Sequence, residues 1–229
     1  MNKGSLLALG AAGIGSLGIG GLAVFKQWKS ISKERVASTI RAKYSAALLD
    51  SVRDSSLWEK KYLSLKTSNP KDPILKQAVE KSKTPSENKN EALELLKKRC
   101  SSIYDEKVDD LKDFSDFKSL CFKSNEESSG GTGTWISEDT TSTKNKWDDS
   151  LTKLHGHSGA LVPELESLKN EIKPNNVSHS DSAGSTGHAF AQDIKTKIKN
   201  WCTTVKGEIF EGSDSIQFQN QETFCKSNS

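Results

Sequence analysis

Gly156-His-Ser-Gly-Ala160 places a serine between two glycines and beside a histidine, the residue types of a hydrolytic nucleophile and its base. A nucleophile elbow needs G-x-S-x-G on a sharp turn leaving a strand. Here the final glycine is missing, and Trp147, Leu151 and Leu154 just upstream step at helical spacing. A loop is expected, with hydrolase chemistry a remote alternative. His155 and His157, with His179 and His188, are metal-ligand types. The H-x-H pair has no carboxylate or cysteine close by, and loop histidines are the expectation. A third pattern, Gly13-Ile-Gly-Ser-Leu-Gly18, spells G-x-G-x-x-G. A dinucleotide fingerprint needs a strand before it and an acid on a second strand about 20 residues on. The acid at that distance is Glu34, inside the charged stretch Ser32-Lys-Glu-Arg35. Trp58, Trp147 and Trp201 are expected as core anchors. No P-loop, zincin or kinase motif occurs. No catalytic, cofactor-binding or metal residue is assigned, no cofactor is expected, and no small-molecule substrate is evident.

The glycine motif sits inside a longer apolar stretch. Leu6–Phe25 carries no charged side chain; Lys3 precedes it, and Lys26, Trp28 and Lys29 follow. A helix of about 20 apolar residues spans roughly 30 Å, the hydrocarbon thickness of a bilayer. A positive start, an apolar middle and an aromatic-basic exit describe a signal anchor or a signal peptide. The lipid bilayer is therefore the expected partner of residues 6–25. Ala8, Ala12, Ser16 and Gly20 step by four and form a strip of small residues. Gly21-Leu-Ala23 is a tolerable cleavage site, and an uncleaved anchor is the favoured reading. Lys26, Lys29, Lys33 and Arg35 would by the positive-inside rule hold the body in the cytoplasm, although long domains translocate largely regardless of charge.

The rest of the chain is thinly cored. Hydrophobic residues make up 33% of the 229-residue chain and charged residues 28%, with a net charge of +3. Acids and bases intermix, as in Asp105-Glu-Lys-Val-Asp-Asp110, so nucleic acid is not an expected partner. Cys100, Cys121, Cys202 and Cys225 form no C-x-x-C pair, which disfavours zinc ribbons and thioredoxin-type chemistry. An even number of widely spaced cysteines behind a membrane signal points to disulfides outside the cell. Buried thiols in a cytoplasmic domain are the alternative.

Internal repetition gives the expected architecture. Trp58-Glu-Lys-Lys-Tyr-Leu-Ser-Leu65 matches Trp147-Asp-Asp-Ser-Leu-Thr-Lys-Leu154 in its tryptophan, following acid and apolar positions. Pro85 stands as far beyond Trp58 as Pro174 beyond Trp147, and each unit then reaches two cysteines. The second unit carries an insertion, chiefly His179–Gly187, rich in Gly and Ser. Four cysteines leave more than one pairing open. Matched positions favour Cys100–Cys121 and Cys202–Cys225, each closing a loop of about 22 residues worth roughly 3 kcal/mol.

The fold class expected is mainly α: an N-terminal transmembrane or signal-anchor helix, then two related small helical units, with short β pieces near the cysteines. The boundaries are 1–30 for the signal anchor or signal peptide, 31–55 for a juxtamembrane amphipathic helix, 56–123 for repeat unit 1, 124–146 for a flexible linker and 147–229 for repeat unit 2. Val36, Ile40, Tyr44, Leu48 and Val52 step by four and predict the amphipathic helix. Ser56 with Glu59, and Thr84-Pro-Ser-Glu87, predict capping boxes. Asp72-Pro73 predicts a helix start, and Leu111–Leu120 continues as helix or short strands. Ile216-Gln-Phe218 alternates like a strand.

The Met1-Asn-Lys start with its Gly/Ala/Leu span, the Trp-led units and the cysteine after Leu95-Leu-Lys-Lys-Arg99 together resemble the paralogous uncharacterised surface proteins of haemotropic mycoplasmas. The resemblance covers most of the chain and carries over no catalytic residue. It implies a membrane-attached protein of a wall-less parasite of red cells, with antigenic variation or host contact as its role. The expected function is thus a non-enzymatic membrane-anchored surface protein for host or partner contact or antigenic display. Its expected localisation is the cell membrane with the body outside, and a host-cell or extracellular protein is the expected partner. The alternative is a cytoplasm-facing membrane-bound scaffold with reduced cysteines.

Overall fold

The computed structural model describes residues 38–227 except 86, 112, 131–132, 143, 173–176 and 179–188. The expected anchor at residues 6–25, the Gly13–Gly18 motif, His179, His188 and most of the Gly/Ser insertion lie outside the described residues. No described helix is long and apolar enough to cross a membrane. The described chain belongs to one compact unit and is mainly helical, with a few two-residue strands.

The expected amphipathic helix of residues 31–55 is broken where it is described. Helix α1 runs only Ile40–Lys43, capped by Thr39 Oγ1 accepting from Ala42 N at 3.2 Å. A 3-10 turn follows at Ser45–Ala47, and Leu48 is extended and bridges to Phe122. Two competing sets of hydrogen bonds explain the break. The Ala47 carbonyl accepts from Lys123 N, and the Asp50 carboxylate accepts from Val52 N and Arg53 N, closing a turn instead of a helix. Ile40, Ala47 and Leu49 are buried, whereas Val52 is 80% exposed.

Helix α2, Ser55–Thr67, buries Trp58, Lys61, Tyr62 and Leu65 along one face. The expected Ser56/Glu59 capping box is absent. The N-cap is Asp54, whose carboxylate turns away from the helix to accept from Asp50 N and to pair with Lys123. Helix α3, Pro73–Lys81, starts as expected: Asp72 Oδ1 accepts from Ile74 N and Leu75 N, and proline occupies the first turn. Helix α4, Lys89–Tyr104, is capped by Asn88 and not by the Thr84 box. Glu87, the expected box partner, accepts instead from Tyr62 Oη and Lys66 Nζ. Helix α5, Phe114–Cys121, resolves the open choice for that segment as helix. These elements enclose a first core that includes Trp58, Leu65, Leu75, Leu96, Ile103 and Phe117. Burying each such side chain contributes about 1.5–3 kcal/mol.

Residues 124–146 do not form a free linker. Ser124 and Glu127 make a capping box for helix α6, Asn125–Ser128, and the Asn125 side chain is buried with its Nδ2 donating to the Val205 carbonyl. Strand β1, Thr134–Trp135, follows. Asn145 and Asp148 then form a capping box for helix α7, Lys146–Gly156. Helix α8 is Pro163–Glu171. Strands β2, Val177–Ser178, and β3, Ala189–Phe190, pair antiparallel across the insertion. Helix α9 spans Gln192–Lys206 and helix α10 Ile216–Phe224. The strand expected at Ile216–Phe218 is thus helix. Ser215 Oγ caps it at Phe218 N, and Phe218 and Phe224 turn into the protein while Ile216 stays 45% exposed. Strand β4, Lys226–Ser227, pairs antiparallel with β1, Trp135 opposite Lys226. Trp147, Leu151, Leu154, Leu165, Ile198 and Phe224 lie in a second core.

The two cores are stitched together by backbone. Ser124 bridges to Ile209, Phe210 N donates to the Lys123 carbonyl, and Asn125 N donates to the Glu208 carbonyl. Ile209, expected in the second unit, packs into the first core.

Candidate functional site

All four cysteines are paired, one disulfide against each core. Cys100 on α4 joins Cys121 at the end of α5, with Cα atoms 5.2 Å apart. Cys202 on α9 joins Cys225 directly after α10, with Cα atoms 5.5 Å apart. All four side chains are buried. Each bond fastens two helices that bury apolar faces against the same core, and stabilises by roughly 3 kcal/mol through the loop it closes. Around the first, Tyr104 Oη donates to the Cys121 carbonyl and accepts from Leu49 N. Burial pushes the Tyr104 phenol up to about 12.

The tryptophans sit as core anchors with a satisfied polar handle. Trp58 Nε1 donates to the Asp50 carbonyl, and Trp147 Nε1 donates to the Glu138 carbonyl, both at 2.9 Å. Trp201 is half-buried at the margin of the second core. Trp135 lies under two ammonium groups, with Lys206 Nζ 5.2 Å and Lys226 Nζ 5.8 Å from the ring centroid.

Gly156 ends α7 and residues 157–160 form the loop after it, with Ser158 and His155 exposed. The His157 ring packs edge-on to Phe224 at 5.2 Å, and no hydrogen bond joins it to Ser158 among the described residues. A Cβ at Gly159 would meet His157 Nε2 at 2.7 Å, so the glycine makes room for this ring. No group of three metal-ligating side chains occurs among the described residues.

Buried lysines hold the framework through ion pairs with Asp148 and Glu127. Asp148 accepts from Phe190 N at 2.7 Å and Asn145 N at 2.8 Å, and Lys195 Nζ lies 3.4 Å from its second oxygen. Lys61 Nζ meets Glu127 at 2.8 Å, tying α2 to α6. Burial lowers the Lys61 pKa, and the Glu127 contact opposes that shift.

One concavity with several charged side chains was not apparent from sequence. A cleft of about 360 Å³ is lined by Arg41 from α1, Asp50 and Arg53 from the turn, Lys97 from α4, and the buried rings of Trp58 and Tyr104. Asp50 is held down to about 2, first by the backbone N–H of Arg53 and then by that of Val52. The one sequence signal was Asp50-Ser-Val-Arg53, a turn-forming acid followed by a base. The cleft needs three segments brought together by the fold.

No protein-family model, curated protein or solved structure matches the chain.

Proposed function

We propose that the chain is a membrane-anchored surface protein, without enzymatic activity, that displays its body outside the cell for contact with a host or partner molecule or as an antigenic coat. The observation that carries this reading is the pairing of every cysteine, Cys100 with Cys121 and Cys202 with Cys225. Disulfides persist in oxidising compartments and are rare in reducing cytoplasm. Behind an apolar N-terminal stretch flanked by lysines, such a body belongs outside. The resemblance to haemotropic-mycoplasma surface proteins supports the same placement.

The body is read as one unit used twice. In each half a tryptophan helix, a proline-led helix, a helix bearing the first cysteine and a helix with the second cysteine at or just past its end follow in the same order. In each half the tryptophan indole donates to a carbonyl upstream of its own helix. The residue after the second cysteine, Phe122 or Lys226, pairs antiparallel with an extended residue before the tryptophan helix, Leu48 or Trp135. On this reading the second unit would take in the Thr134–Trp135 strand as well as the helix that begins at Lys146. A duplicated, stapled helical body suits display, since its exposed loops vary without disturbing the cores.

The basic flank Lys26, Lys29, Lys33 and Arg35 favours a second reading, a scaffold facing the cytoplasm. Mass spectrometry of the native protein, from cells quenched with a thiol-alkylating reagent and digested without reductant, separates the two. Linked Cys100–Cys121 and Cys202–Cys225 peptides are expected. Alkylated thiols at all four positions refute the surface reading and leave the scaffold.

A further inference from the structure

The cleft beside Trp58 combines many unused hydrogen-bond donors with very little acceptor capacity. Its one acid, Asp50, already accepts three hydrogen bonds. Oδ1 accepts from Val52 N at 2.9 Å and Arg53 N at 2.8 Å, and Oδ2 accepts from Arg53 Nη2 at 3.0 Å. The three cations keep donors in reserve. Arg41 spends Nε on Asp105, at 2.8 Å, which leaves its terminal nitrogens without a hydrogen-bond partner among the described residues. Arg53 spends one terminal nitrogen on Asp50. Lys97 pairs with no carboxylate among the described residues. Its Nζ donates to the Ser51 carbonyl at 3.2 Å and lies 5.7 Å from the centre of the Trp58 ring.

Each cation is positioned from a separate element by a contact of its own: Arg41 by Asp105, Arg53 by the Asp50 turn, Lys97 by the Ser51 carbonyl and Trp58. Ion pairing on a solvated surface would place a carboxylate near each base in comparable number. Elsewhere in the first half that is what occurs, as at Lys66–Glu87, Lys81–Glu91 and Lys89–Glu59. Here Arg41 and Arg53 are ion-paired as well, with Asp105 and Asp50, but each keeps terminal N–H donors in hand, and Lys97 meets no carboxylate among the described residues. Guanidinium and ammonium groups so placed recognise oxyanions, because their N–H donors match the lone pairs of carboxylate, sulfate or phosphate oxygens. The volume, about 360 Å³, lies at the small end of ligand sites, the size of a single sugar or a similar small body.

We propose that this cleft binds one oxyanion group, a sulfate, phosphate or carboxylate, carried by a sugar-sized ligand, with Arg41, Arg53 and Lys97 as its donors. The proposal goes beyond surface display and does not depend on which side of the membrane the body occupies.

The test is isothermal titration of the purified full chain in a non-ionic detergent at fixed ionic strength. The probes are inorganic sulfate, inorganic phosphate, glucose 6-sulfate, glucose 6-phosphate and glucuronate. Saturable one-site binding of at least one sugar-borne probe at millimolar concentration is expected. Lys97→Gln and Arg53→Gln should each weaken it by about tenfold or more. Arg53 is exposed, so its variant retains the fold if Lys97→Gln does not. Lys60→Gln, an exposed lysine on α2 outside the cleft, should leave affinity unchanged. Tighter binding of the sugar-borne probes than of the free ions supports the ligand class as stated. Binding of free ions alone overturns the sugar-sized body. Absence of saturation with every probe, or equal weakening by Lys60→Gln, overturns the site.

Discussion

The indole N–H of Trp147 donates to the carbonyl of Glu138 at 2.9 Å, under a ring that is almost wholly buried. The bond fastens the segment preceding α7 to the second core, as Trp58 fastens the Asp50 turn to the first. Trp147→Phe removes the donor and leaves a small void. It should destabilise the protein by about 2 kcal/mol, the sum of a lost hydrogen bond and imperfect packing. Trp201→Phe, at a half-exposed position, should cost about 1 kcal/mol or less. Denaturant titration followed by far-UV circular dichroism checks both.

Asp148 is held by two backbone N–H groups as well as by Lys195. The backbone bonds are 2.7 and 2.8 Å long and the lysine contact 3.4 Å. Asp148→Ala orphans both amides and leaves the buried Lys195 ammonium without its counter-ion, with only the Ser142 carbonyl as partner, and should cost about 3–5 kcal/mol. Lys195→Met leaves the carboxylate its two amides and should cost about 1–3 kcal/mol. The double variant should lie closer to Asp148→Ala than additivity gives. A double-mutant cycle in denaturant measures the coupling, and strict additivity would mean the pair does not interact.

The helices were legible where a local device specifies them. Asp72-Pro73 presets a cap and a first turn, and α3 begins there. Ala92, Leu96 and Cys100 share a face because that face meets the core. The reading failed where tertiary contacts outweigh local pattern. Ile40, Tyr44, Leu48 and Val52 keep helical spacing, yet the Ala47–Leu48 backbone finds better partners at Phe122 and Lys123, far away in sequence. Ile216 and Phe218 alternate, but the Ser215 cap and the burial of Phe224 make the segment helical. The favoured cysteine pairing, Cys100 with Cys121 and Cys202 with Cys225, is the one found. The basic cleft was not legible, because Arg41, Arg53 and Lys97 belong to different segments that meet only on folding.

Two opposite pH slopes follow from the shifted groups. The Tyr104 phenol, at about 12 when folded through burial, titrates near 10 when unfolded. Its folded form favours the neutral phenol, so the associated stability is complete below about pH 10 and is lost as pH rises towards 12. Tyr62, also raised to about 12, adds the same sign. Tyr104→Phe should therefore be less stable at neutral pH, for want of its bond to Cys121, yet lose stability less steeply above pH 10. Asp50, held down to about 2, acts in the other direction. Its contribution is present above about pH 4 and disappears as pH falls towards 2. Asp50→Asn should flatten that acid limb. Denaturation midpoints across both pH ranges check the signs.

The placement of the body outside the membrane is tested most directly by treating intact cells that make the protein with a general protease and probing by immunoblot for residues 38–227. Loss of the body while the membrane is still closed, with a short N-terminal fragment kept in the membrane pellet, is the expected result. Survival of the full chain until detergent opens the cells would place the body inside and contradict the surface assignment.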